Sequence, residues 1–217
     1  RADGENINAA RSNFMVEHKF ISSLDYTTQL IGNNDTRFSL VYVRKSGEPY
    51  SVTFDGYDDA FANDRSDGGY DAAYIPTGAS DPNVVFASSA VADAVMAHVN
   101  SSGLSSYKGT IVPRNAFNSP WNSSLDLRIT QDIEVMEGHK VIVYLDITNL
   151  LNLIDDDKGI ITEYSNRSRQ IELDRDNPYD SEGRYNIVGV DPDDGLRVYN
   201  NNGQSSYQWN LGFKYQF

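Results

Sequence analysis

The sequence predicts an all-β fold, an antiparallel segment of a transmembrane β-barrel that contributes about five strands to a larger barrel and carries one helical insertion. Three observations predict it. The first is the stretch 205–217, S-S-Y-Q-W-N-L-G-F-K-Y-Q-F, where Tyr207, Trp209, Leu211, Phe213, Tyr215 and Phe217 share one parity. Gln208, Asn210, Gly212, Lys214 and Gln216 share the other, so a strand here has an aromatic-aliphatic face and a polar face. A wall with lipid outside and water inside asks for this pattern, whereas a strand of a soluble sandwich seldom gathers so many aromatics on one face. The second observation is the same two-residue period in four further stretches. The third is a polar chain, of mean hydropathy −0.52, that still holds 14 Tyr and 9 Phe. It has no apolar run of about 18 residues and so no transmembrane helix, a test that barrels escape because only alternate residues meet lipid.

Residues 1–15 show no sustained period and are expected to be a loop before a barrel hairpin that ends at residue 54. From Val16, His18, Phe20, Leu24, Tyr26 and Leu30 fall on one face, and Lys19, Ile21, Asp25 and Gln29 on the other. Gly32-Asn33-Asn34-Asp35 is turn chemistry, because Gly and Asn tolerate positive φ. A second strand is expected over 36–54, with Phe38, Leu40 and Tyr42 on its apolar face and a bulge at 46–49. Residues 55–122 are expected to form a long outer loop, acidic and irregular over 55–71, with a helix near 82–100. Ser80-Asp81-Pro82 offers a cap followed by Pro at a first helical position. Val84, Ala87, Val91, Val95 and Val99 then recur at helical spacing. This stripe is expected to pack on its own protein.

Residues 123–217 are expected to hold the C-terminal strands. Leu125, Leu127, Ile129, Ile133 and Val135 face one way; Asp126, Arg128, Thr130, Asp132 and Glu134 face the other. Leu127 is expected to meet lipid and to reject Arg, and Asp126 to meet water and accept it. Glu137-Gly138-His139 closes a tight hairpin, and 140–149 returns with Val141, Val143, Leu145 and Ile147 on one face. Residues 150–204 are expected to be a long polar loop, with short strands near 159–164 and 185–190. The strands then number five: 16–31, 36–54, 123–136, 140–149 and 205–217. A closed single-chain barrel needs about eight or more, and an open edge in lipid leaves costly unsatisfied backbone groups. The chain is therefore expected to be part of a longer protein whose remaining strands complete the barrel.

Charge and motif content narrow the function. A net charge of −13 argues against a nucleic-acid partner, which needs a basic surface. Zero cysteines leave no thiol nucleophile and no thiolate metal site. The acidic runs lack EF-hand spacing and are expected to be solvated faces. His18, His98 and His139 are scattered, with neither H-E-x-x-H nor G-x-S-x-G, so no catalytic residue, metal ligand or cofactor is assigned. Asp126, Arg128 and Asp132 on one face are accounted for by a polar barrel lumen.

Several motifs follow one another in order: Tyr107-Lys108-Gly109, Pro113-Arg114-Asn115, Ser119-Pro120-Trp121, Leu125-Asp126-Leu127-Arg128 and Asp146-Ile147-Thr148-Asn149-Leu150-Leu151-Asn152. At the end, Asn210, Gly212, Phe213, Tyr215 and Phe217 look like the C-terminal assembly signal of bacterial outer-membrane barrels. The ordered set resembles the C-terminal part of TonB-dependent outer-membrane transporters of the Oar-like group, over residues from about 80 to the end. Lys158-Gly159 departs from that group's pattern, which has an aromatic before the glycine. The resemblance implies a barrel of about 22 strands around a plug domain, in the outer membrane, importing a nutrient with energy relayed by the TonB complex. It implies as partners the rest of the barrel and its plug, the barrel assembly machinery and the lipid bilayer. With the C-terminus periplasmic, both tight turns fall inside the cell envelope and both long segments outside. The other readings are a surface hydrolase on a barrel and a structural or adhesin-like barrel without transport.

Overall fold

The computed structural model describes residues 9–55, 71–165, 167–198 and 205–217. The acidic loop expected over 55–71 lies almost wholly outside them, as do residues 1–8 of the expected N-terminal loop and residues 199–204. Among the described residues the chain is mostly β, in the order β1 (Lys19–Ile31), β2 (Asn34–Lys45), β3 (Pro49–Asp55), β4 (Val84–Phe86), α1 (Ser89–Ser101), β5 (Phe117–Asn118), β6 (Asn122–Met136), β7 (His139–Thr148), α2 (Leu150–Ile154), β8 (Thr162–Tyr164), β9 (Arg167–Leu173), β10 (Tyr185–Val190), β11 (Leu196–Val198) and β12 (Gln208–Gln216). They fall into two compact units, one of residues 16–47, 120–163 and 198–217 and the other of 1–15, 48–119 and 164–197.

The first unit is a five-stranded antiparallel sheet in the order β1-β2-β6-β7-β12. These are the five strands expected from periodicity, except that β2 is shorter. Ile31 pairs with Asn34 around Gly32-Asn33, and Met136 with His139 around Glu137-Gly138. Gly32 and Gly138 take the positive φ (58° and 76°) that each tight turn requires. Both turns lie at one end of the sheet. β1 and β12 are its open edges, so the described strands do not close on themselves.

The second unit has a mixed sheet in the order β4-β10-β9-β3-β5, with β9 parallel to β3 and β10 parallel to β4. Helix α1 lays Ala92, Val95 and Val99 on its core, so the stripe packs on its own protein as expected. Every buried hydrophobic side chain among the described residues belongs to this unit, from Tyr50 to Val112 and from Ile171 to Ile187. Several of its buried polar groups are paired, although the Thr53 hydroxyl is buried without a partner among the described residues. Asp81 accepts from the Thr77 backbone and hydroxyl, the Asn83 backbone and the Tyr74 hydroxyl. Burial pushes the Asp81 carboxyl up, but these bonds outweigh it and hold it below its ordinary value. Burial raises the Tyr50 hydroxyl to about 12.

Three expectations need correction. Residues 36–54 are not one bulged strand. Pairing with β1 ends at Ser46, whose Oγ accepts from the Glu17 and His18 backbones, and the chain restarts at Pro49 as β3 in the other sheet. Tyr50, Val52 and Phe54 leave because they have a core to bury in. The helix does not begin at Pro82. Val84–Phe86 pair as a strand with Tyr185–Ile187, Asp81 caps a turn instead, and Ser88 Oγ accepts from Val91 N to start α1. The described residues of 71–122 and 167–198 are not simple loops, since with β3 they build the second sheet. The short strands expected near 159–164 and 185–190 are present as β8 and β10. Strand β9 was hidden because two of its buried residues are polar: Ser168 donates to the Asp194 carbonyl, and Gln170 donates to Ser168 Oγ and lies 3.0 Å from His98 Nε2.

Candidate functional site

The five-stranded sheet is built as two unlike faces, and pairing register makes them so. Directly opposed residues point to the same side. Leu24, Leu40, Leu127, Ile147 and Trp209 therefore form one row across all the strands, and Tyr26, Phe38, Ile129, Leu145 and Leu211 the next. The apolar faces expected separately for each strand coincide. Thr36 and Gln131 are a polar pair on this face, and they hydrogen-bond to each other. No layer of the first unit covers it: Leu211 is 67% exposed and Phe213 77%.

The opposite face carries the charges. Asp25, Ser39, Arg128, Asp146 and Asn210 form one of its rows, and Thr27, Arg37, Thr130, Tyr144 and Gly212 the next. Arg128 grips Asp146 with both ends of its guanidinium, at 2.5 and 2.8 Å, and lies 5.5 Å over the Tyr144 ring. Tyr144 in turn lies across Gly212, where a Cβ would stand 2.4 Å from the ring. Nearer the tight turns, Asp132 is shared by Arg37 at 3.1 Å and Lys140 at 3.2 Å, with Asp35 on the far side of Arg37. A concavity of about 420 Å³ opens there, lined by Asn34, Asp35, Asp132, Glu134, His139 and Lys140 among others. The lining is acidic on balance, with Asp35, Asp132 and Glu134 against Lys140 alone, and the Asp132 carboxylate is itself buried between its two cationic partners.

At the other end of the sheet, the motif residues form a polar knot. Asn149 sits in the left-handed region (φ 54°). Its backbone N–H donates to Asp126, and its side chain donates to the carbonyls of Gly159 and Ser205. Asn152 donates to the Asp156 and Lys158 carbonyls and accepts from the Tyr207 backbone, while Ser205 Oγ accepts from Ile161 N. The knot ties the 150–161 connection to the start of β12. It also corrects one expectation: Asp126 is committed to the Asn149 backbone and is not free to become Arg. Gly159 has φ 65°, and a Cβ there would meet Asn149 Oδ1 at 2.1 Å. Gly159→Ala should therefore open the knot, at a cost of about 2 kcal/mol or more from left-handed strain and lost hydrogen bonds. Lower denaturant midpoints and earlier proteolysis near residue 160 would register it; an unchanged midpoint would deny the knot a role.

The chain matches no family model, no curated protein and no solved structure.

The residues of the terminal motif do not form one cluster. Asn210 faces Asp146 and Gly212 receives Tyr144 on the polar side; Phe213 and Tyr215 stand on the apolar side opposite Val143 and Val141. Phe217 follows the strand, exposed, and the Tyr215 hydroxyl lies 2.7 Å from His139 Nδ1. Asp126, Arg128 and Asp132 share their face as expected, but each serves a different partner. Lys140, Tyr144 and Asp146 are site residues that the sequence reading left unassigned. Alternation marked their face, and only the register shows whom they meet.

Proposed function

We propose that this chain is a wall segment of an outer-membrane β-barrel, and that the barrel is a TonB-dependent active importer of a nutrient. What carries the reading is an antiparallel sheet with one continuous apolar face and no core behind it. Across so many strands, an uncovered face of Leu, Ile, Phe and Trp is far beyond the patches soluble proteins tolerate, and it fits acyl chains. The dimensions agree. Ser123 and Ile133 on β6 are ten residues apart, about 34 Å along a strand and about 26 Å across a bilayer at a tilt of about 40°. The opposite face, with its paired charges, suits a water-filled lumen. The ordered motifs add transport to this reading, since they resemble those of TonB-dependent transporters. Their residues supply the knot, which ties the start of β12, and the Arg128–Asp146 pair, which joins β6 to β7.

Trp209 tests the membrane part. The chain has two tryptophans, so Trp121→Phe in the full-length protein leaves Trp209 as the reporter among these residues, the other tryptophans of the longer chain being replaced likewise. Reconstituted in vesicles whose acyl chains carry bromine, Trp209 emission should be strongly quenched; unquenched emission would place it away from lipid and remove the reading. Transport is tested in cells. Uptake of a limiting nutrient that needs this protein and collapses under a protonophore supports import. An inserted barrel whose loss leaves uptake unchanged across a nutrient panel favours the structural alternative.

A further inference from the structure

Beyond the two apolar rows described above, the apolar face ends in a cluster that also carries a charge. Arg44 pairs in register with Phe20 on one side and Ser123 on the other, so it projects from the apolar face. Its guanidinium carbon lies 5.4 Å over the Trp121 ring. Trp121 is also stacked by His18, at 6.1 Å and 3° between planes, and by Phe20, at 6.1 Å and 21°. In a chain with 31 acidic residues, the ion pairs of the described residues include none to Arg44. Arg37 and Arg128 of the same sheet stand instead on the polar face and hold carboxylates there. Arg44 is thus a cation held over the Trp121 ring on the apolar face, its guanidinium making no hydrogen bond among the described residues.

Register also sets its depth. The row of Phe20, Arg44 and Ser123 closes the apolar band at one end, and Tyr215 and Phe217 close it at the other. Aromatic rings collect at the two levels where a barrel meets lipid headgroups. An Arg there keeps its stem along apolar surface and its head among the headgroups. The planar fork of Arg matches phosphate oxygens in a two-point hydrogen bond that Lys cannot reproduce.

We infer that Arg44, supported by Trp121, His18 and Phe20, is a seat for the phosphate group of a membrane lipid on the outer wall of the barrel. This rests on the barrel reading proposed above. With the two tight turns on the periplasmic side, the seat lies at the level of the outer leaflet, so the phosphate belongs to a lipid of that leaflet. The bound headgroup would fix the height and tilt of β1 and β2 against the bilayer.

The test uses the full-length protein in phosphatidylcholine vesicles with and without phosphatidic acid, a lipid with an exposed phosphate monoester. With Trp209→Phe, and tryptophans elsewhere in the longer chain replaced, Trp121 reports on the seat. Its emission should shift on adding phosphatidic acid, and native mass spectrometry should find that lipid retained. Arg44→Gln should retain about tenfold less, the loss expected when one charge-assisted contact is removed. Arg44→Lys should fall between, and heat-modifiable mobility checks that both variants fold. Equal retention by Arg44→Gln, with no shift of Trp121, would overturn the seat. Displacement by inorganic phosphate as effective as that by lipid would make it a soluble-anion site and overturn the lipid assignment. Bromine quenching of Trp209 in the same vesicles keeps the two readings separate: quenching without phosphatidic-acid dependence sinks the seat alone, and absent quenching sinks the barrel.

Discussion

Ile129→Arg in the full-length protein should remove most of the folded barrel, while Thr130→Arg, one residue away, should leave it near the wild-type level. Ile129 stands in the central apolar row between Phe38 and Leu145. A guanidinium near the bilayer midplane costs about 2–4 kcal/mol, which is a shift of about 30- to 1,000-fold in a folding equilibrium. Thr130 stands in the polar row between Arg37 and Tyr144, with Asp132 two residues along the same face. An added Arg there meets water and a neighbouring carboxylate. Heat-modifiable gel mobility of outer-membrane fractions reads the difference. Equal losses would mean that the two faces are not lipid and lumen.

Ile171→Ala should unfold the second unit and spare the sheet. Ile171 is fully buried in β9, paired with Phe54 on β3 and Val190 on β10, so it sits where both halves of the mixed sheet meet. Truncating a buried Ile to Ala costs about 2–5 kcal/mol, and more where the cavity cannot collapse. A unit this small has little stability to spare. Protease added to intact cells should cut within 164–197 in the variant and not in the wild type, with gel mobility of the barrel unchanged. Resistance equal to wild type would show that this core does not hold the unit together. Loss of the barrel as well would show that the two units fold as one.

How far the sequence could be read depended on where each side chain found its environment. In β1, β6, β7 and β12 apolar and polar residues alternate, so parity alone located the strands to within a few residues. Tyr50 to Phe54 kept the same alternation, yet belong to another sheet, because an apolar side chain is satisfied equally by lipid and by a protein core. Ser168 and Gln170 concealed β9 for the opposite reason. Ser168 bonds to Asp194 and Gln170 lies within hydrogen-bond distance of His98, partners too far along the chain to be visible locally. Val84 and Val85 carried a helical spacing that strand pairing with Tyr185 and Asn186 overrode.

The same distinction applies to the candidate site. Alternation by itself determined which residues share the apolar face and which share the polar face, since side chains of a strand can only point two ways. The turn residues Gly32 and Gly138 determined which strands are hairpin partners, through the positive φ they permit. Register was the province of the tertiary structure, and with it every contact that gives the faces their chemistry: Arg128 on Asp146, Tyr144 over Gly212, Asn149 holding Ser205, and Arg44 on Trp121. Such pairs join residues as much as 77 positions apart, from Arg44 to Trp121, and a shift of one residue in a strand would send each partner to the opposite side.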